Sequence, residues 1–348
     1  MDEIDVYRLE DLPVEILFEI FKSLKPEELY SSMAHLNIRM NMILKKQPNL
    51  KISIYCLKPA LSFFDSFTSL TIHFDSINEL HLYQFQYLNL INLRSLNINI
   101  LYLKWWTVVS EDELNAFINP ARCPLLKYLR LSGCTTKLTE FIFTGAFPYL
   151  KKCIIKNCQE FFSTSSKASA KTLHYLYMHT ENKYDFHVML SMCPKLKHFH
   201  FHSDELPSTQ IQNIHYPLLQ CLNIRWLKNF LFHNGQYDIF LSYFPNLINF
   251  DLTVAHSHNH DEIVDFAQVA DCLRRRIPRL KKLKLNIYLR RTYPFQLFYG
   301  QLPLIAQMHE LFRSVNKCQS LIYIRSFDFN PSYIDYWHYI RPASEPKS

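Results

Sequence analysis

The sequence predicts an α/β chain: a short N-terminal three-helix domain, then a curved solenoid with a parallel concave sheet and outer helices. Three observations predict it. One phrase built on proline and leucine returns through most of the chain, amphipathic stretches separate its copies, and the first 50 residues carry a different pattern. The expected domains are therefore residues 1–50, 51–340 and a polar tail at 341–348. Of the 348 residues 48% are apolar, enough for a sizeable core.

The first element is a helix. Residues 9–24 read LEDLPVEILFEIFKSL, in which Pro13 can fill the first helical position and Glu15 faces the positive end of the helix dipole. Apolar residues at 12, 16, 17, 20, 21 and 24 cover a face too broad for burial inside one small unit. Pro26-Glu27-Glu28-Leu29 restarts a second helix, and a third runs from Asn37 through Leu44. In order, L-P-x-E-I-L, I-F, L, E-x-L and N-x-R cover residues 9–47, and at this spacing the segment resembles the F-box. Met40 stands where many members carry an aromatic residue. The resemblance implies that Leu12, Pro13, Leu17, Ile20, Leu24 and Leu29 contact a Skp-type adaptor and, through it, a cullin scaffold.

The repeats follow. Cys123-Pro124-Leu125-Leu126 leads to Leu129 and Leu131, and proline returns in the same place at Pro148, Pro194, Pro217, Pro245 and Pro278. Weaker copies begin at Ile77, Leu93, Leu173 and Leu321. The marking leucines at 126, 150, 173, 196 and 219 are 24, 23, 23 and 23 residues apart, and later steps lengthen. This phrase resembles the leucine-rich repeat. Each copy reads as a short strand whose alternate side chains enter a shared core. Between copies, residues 111–118, 184–192, 261–276 and 303–315 are amphipathic, with Pro120, Asp185 and Asp261 as boundaries.

Alternation also predicts what points away from the core. Among these positions are Glu79, His81 and Tyr83 in the first copy, Asn97 and Arg130 in the next two, and Lys152 and Lys156 after them. Tyr175, Tyr177, His179, His198, His200, His202 and Arg225 follow, then Asp251, Lys282, Lys284, Tyr323, Arg325 and Phe327. Across all ten copies the face holds seven Lys or Arg against two acids, and the five central copies hold no carboxylate. Arg130, Lys152, Lys156, Tyr175, Tyr177, His179, His198, His200, His202 and Arg225 are the expected substrate-binding residues. Cations and aromatic rings suit an acidic or phosphorylated protein segment.

Composition removes other classes. Four glycines, at 133, 145, 235 and 300, are too scattered for a phosphate-cradling loop, and G-x-S-x-G is absent. The nine cysteines are odd in number and never form C-x-x-C, so zinc-ribbon spacing is missing and reduced thiols in the cytosol or nucleus are expected. His198, His200 and His202 alternate along a strand, yet no third ligand type stands near them in sequence unless Cys221 turns toward them. No metal, cofactor or catalytic constellation is expected, and no membrane span. Net charge is +7, a mild excess. The reading is a non-enzymatic substrate receptor of a Skp-cullin-F-box ubiquitin ligase. The alternative is a repeat scaffold binding nucleic acid or another polyanion through the same basic face.

Overall fold

A computed structural model describes residues 8–24, 26–33, 36–45, 51–54, 68–74, 88–100, 111–158, 169–180, 185–203, 215–226, 236–255, 266–290, 319–327 and 337–340. Helices are interspersed among mostly parallel strands in two compact units, Met1–Ile154 and Ile155–Ser348.

The first unit opens on α1 (Val14–Lys22), α2 (Pro26–Met33) and α3 (Ile38–Lys45). Pro13 precedes α1 instead of filling its first position: its backbone is extended, at φ −54° and ψ 147°, and its carbonyl accepts from the Leu17 N–H at 3.1 Å. Pro26 is the first residue of α2, where a missing N–H leaves no bond unmade. Asn37 caps α3, its Oδ1 accepting from the Met40 N–H at 2.8 Å. Leu17, Phe21, Leu29, Met40, Ile43 and Leu44 close into one buried cluster, so the methionine that departs from the family pattern fills interior volume here. An Arg39 Nη2 donates to the Leu12 carbonyl at 3.2 Å, which ties α3 to the residue before Pro13.

Strands β1 (Lys51–Ile54), β2 (Ser69–Phe74), β3 (Ser95–Ile100) and β4 (Tyr128–Leu131) pair in parallel, in chain order. The copy expected at Ile77, with Glu79, His81 and Tyr83, lies outside the described residues. The strand that neighbours β3 is β2, with Leu70 beside Leu96 and Ile72 beside Ile98. Helices α4 (Glu111–Phe117) and α5 (Thr136–Phe143) belong to this unit. The sequence spacing does not single out α5; Thr135 caps it, its Oγ1 accepting from the Leu138 N–H at 3.1 Å, and Gly145 follows at φ 78°. Strand β5 (Lys152–Cys158) contains the boundary between units.

The second unit contains β6 (Tyr175–Thr180), α6 (Asp185–Met192), β7 (His198–Ser203), β8 (Cys221–Trp226), α7 (Gln236–Ser242), β9 (Asn249–Ala255) and α8 (Phe266–Arg276). It continues with β10 (Lys282–Arg290), β11 (Gln319–Phe327) and β12 (Trp337–Ile340). From β6 to β11 neighbouring strands are parallel, and β12 returns antiparallel on β11. Each ladder is open. The expected helix at 303–315, the start of the one at 261–276 and the tail at 341–348 lie outside the described residues.

One turn explains the recurring phrase. The N–H of the marking leucine donates three residues back, as from Leu126 to Cys123 at 3.3 Å, Leu196 to Cys193 at 3.0 Å and Leu219 to Tyr216 at 3.2 Å. Proline then sits second in a four-residue turn, where its fixed φ is already correct. The next two N–H groups share one carbonyl of the preceding copy: Lys197 and His198 donate to His174, and Gln220 and Cys221 donate to Lys197. Register follows, with Tyr175 beside His198 and His198 beside Cys221. In the last copy the register differs from the leucine count. Gln319, not Tyr323, lies beside Lys282, an even shift of four residues that preserves which face each residue belongs to.

The other face is dense. Phe186 on α6 meets Phe199 and Phe201 of β7 at ring-centroid distances of 5.4 and 5.2 Å, and Phe240 of α7 at 6.0 Å. Alternate strand residues and helix faces thus share one core, as the period-two pattern requires.

Candidate recognition surface

The N-terminal helices divide the six expected adaptor residues into two groups. Leu17 and Leu29 are completely buried among the helices themselves, because positions 17 and 21 lie one turn apart on the inward face of α1. Pro13 is exposed; Leu12, Ile20 and Leu24 are half-buried at the rim of the same cluster. Ile16 is the accessible apolar residue that the family correspondence passes over, 47% exposed on α1. Leu36, Ile38 and Met42 are also exposed. Of the ten exposed large apolar residues among the described residues, Leu9, Ile16, Leu36, Ile38 and Met42 belong to this N-terminal part.

In the first unit the polar face of the sheet carries Ser95, Asn97 and Asn99 on β3 and Tyr128, Arg130 and Ser132 on or just after β4. Leu96, Ile98, Leu129 and Leu131 are buried between them. Asn97 and Arg130 are direct neighbours in register. Asn97 Oδ1 and Arg130 Nε are both closed to solvent and make no hydrogen bond. Leaving such atoms without partners costs about 1–3 kcal/mol each, more for a charged group. Lys152, exposed at the start of β5, places its Nζ 5.5 Å from the centre of the Tyr128 ring.

In the second unit the same alternation sets Tyr175, Tyr177 and His179 on β6 beside His198, His200 and His202 on β7. All six are half-buried. Tyr175 lies 6.1 Å from His198 and 5.1 Å from His200, and Tyr177 lies 6.1 Å from His200. His179 and His202 stack at 4.1 Å with their planes 13° apart. Arg225 is exposed on β8, beside His202 in register, and Lys156 is exposed on β5. Cys221 does not turn to the histidines as a ligand; its Sγ accepts from Asn249 Nδ2 at 3.1 Å. Among the described residues no three His, Cys, Asp or Glu side chains converge as metal ligands.

Asp251 of β9 is an acid on this cationic face. Asn223 Nδ2 donates to its Oδ2 at 3.1 Å, Asn286 Nδ2 reaches its Oδ1 at 3.5 Å, and Lys284 Nζ lies 3.6 Å from Oδ2. Burial pushes its carboxyl above the ordinary range, with Lys284 and Arg225 opposing that rise. The acid is thus committed to its own neighbours, and the aromatic and basic strands beside it keep their excess of positive charge. Selection by charge passes over Asn97 and Asp251, although the alternation rule places both on this face.

Elsewhere in the second unit Asp238 on α7 anchors α8. Arg275 Nη2 donates to its Oδ1 at 2.7 Å, Arg276 Nε donates to the same oxygen at 2.9 Å, and Arg276 Nη2 pairs with Oδ2. Hydrogen bonding from Arg276 holds the Asp238 carboxyl well below the usual range, while the Cys272 thiol, buried and facing that carboxylate, is pushed up to about 11. This cluster joins two helices and lies away from the sheet face. Among the described residues no helix is long and apolar enough to cross a membrane. Compared with known proteins, the chain matches no family model and no curated sequence.

Proposed function

We propose that the chain is a non-catalytic substrate receptor of a Skp-cullin-F-box ubiquitin ligase, with residues 1–50 docking on the adaptor and a leucine-rich-repeat solenoid holding the substrate. The observation that carries the reading is the N-terminal cluster. Its F-box-like motif coincides with three short helices that bury Leu17, Phe21 and Leu29 and leave Pro13 and Ile16 accessible. Such a division suits docking, because the inner residues hold the shape and the outer ones supply apolar area to a partner. The aromatic and basic strands supply the second half of the reading. Tyr175, Tyr177, the three histidines of β7 and Arg225 present rings and donors to an acidic segment.

The test separates the halves. Pro13→Ala with Ile16→Asp should remove adaptor capture while the chain stays folded, since neither side chain lies in the interior. Lys156→Ala with Arg225→Ala should change the set of proximity-labelled partners and leave adaptor capture intact. Undiminished capture by the first variant would sink the adaptor assignment; an unchanged partner set with the second would remove this face as the substrate surface.

A further inference from the structure

The first unit contains a charge that meets no counter-charge among the described residues. Arg130 sits half-buried on the polar face of β4. Among the described residues it makes no ion pair, and its Nε is sealed from solvent without a hydrogen bond. Its register neighbour across β3, Asn97, has an Oδ1 in the same condition. Two orphaned polar side chains side by side are costly to a folded chain unless something completes them. Elsewhere the molecule shows how it settles such groups: Asp251 gathers Asn223, Asn286 and Lys284, and Asp238 gathers Arg275 and Arg276. Arg130 gathers none.

We propose that Arg130 and Asn97, with Lys152 beside Tyr128, form a binding site for one phosphoryl oxyanion. It rests on the reading of the sheet face as a recognition surface and is independent of the adaptor reading. The two terminal nitrogens of the guanidinium, Nη1 and Nη2, offer parallel N–H donors to two oxygens of one anion. The Asn97 amide adds neutral N–H donors to the same face. Lys152, held over the Tyr128 ring at 5.5 Å, adds a second positive charge to the same face. Two cations match the near-double charge of a phosphate monoester better than the single charge of a carboxylate. The described neighbours on this face, Ser95, Asn97, Asn99, Tyr128 and Ser132, include no acid that would repel it.

Calorimetric titration of the full chain tests the site with three probes: N-acetyl-O-phosphoserine amide, inorganic phosphate and acetate. Wild type should bind a phosphate probe saturably at one site and acetate more weakly. Arg130→Met should weaken phosphate binding about tenfold or more, the loss of one charge-assisted pair. The same substitution should raise the melting temperature of the empty chain, since it removes a half-buried guanidinium whose sealed Nε makes no hydrogen bond. Asn97→Asp supplies an internal counter-ion beside Arg130 and should also abolish binding while the chain stays folded. Pro13→Ala with Ile16→Asp, which removes adaptor capture under the proposed function, should leave phosphate binding unchanged. Preference for the phosphoserine amide supports a protein-borne ligand at the site, and equal affinity for inorganic phosphate supports a free one. Absence of saturable phosphate binding, acetate binding as tight as phosphate, or undiminished affinity in folded Arg130→Met or Asn97→Asp overturns the proposal.

Discussion

Single side chains decide how the helices of each unit are fastened. Asp238 holds two arginines of α8, and its folded carboxyl lies below the ordinary carboxylate value of about 3.9. A depressed carboxyl stabilises the fold above its unfolded value, and that contribution disappears as pH falls through the folded one. Asp238 is 24% exposed and Arg276 38% exposed, so solvent screens the pair. Asp238→Asn should therefore cost about 1 kcal/mol at neutral pH. Urea denaturation from pH 7 to pH 3 checks it: wild type should lose more stability with acid than the variant, and parallel curves would contradict the assignment. Asn37 is the corresponding residue of the first unit. Removing its cap by Asn37→Ala should cost about 1 kcal/mol, read as a lower denaturation midpoint.

At the scale of the element, α1 has two faces with different duties. Leu17→Ala and Phe21→Ala each open a cavity in a cluster of only six buried residues, so each should destabilise by about 2–5 kcal/mol. Ile16→Ala, from an exposed position, should stay within about 0.5 kcal/mol of wild type in the same melt. A large loss for Ile16→Ala would mean that its side chain is structural. The helix was legible from its periodicity, but which apolar residues faced inward was not, because that depends on where α2 and α3 pack. Strand alternation was more legible. Leu129, Leu131, Leu176, Met178, Phe199 and Phe201 are buried and their neighbours are not, since a period of two leaves no freedom once one residue is fixed. The proline-containing turn made the phrase visible. Where a phenylalanine or polar residue replaced the marking leucine, as before β2 and β11, the count by leucines slipped while the backbone register did not.

For the whole molecule, the sequence expectation of an α/β chain with parallel strands holds in both units. Helices α5 and α7 were not legible from the spacing, although each is as short as α4 and α6, which were. The pairing of Asn97 with Arg130 was equally hidden: the two are 33 residues apart and meet only through the β3–β4 register. Adaptor docking is the central claim, and one titration tests it most directly. Purified full-length chain, wild type or Pro13→Ala with Ile16→Asp, is titrated against a purified Skp-type adaptor by calorimetry, with the fold of each confirmed by its melt. The account predicts saturable one-to-one binding by wild type and none by the folded variant. Failure of folded wild type to bind, or equal binding by the variant, would contradict it.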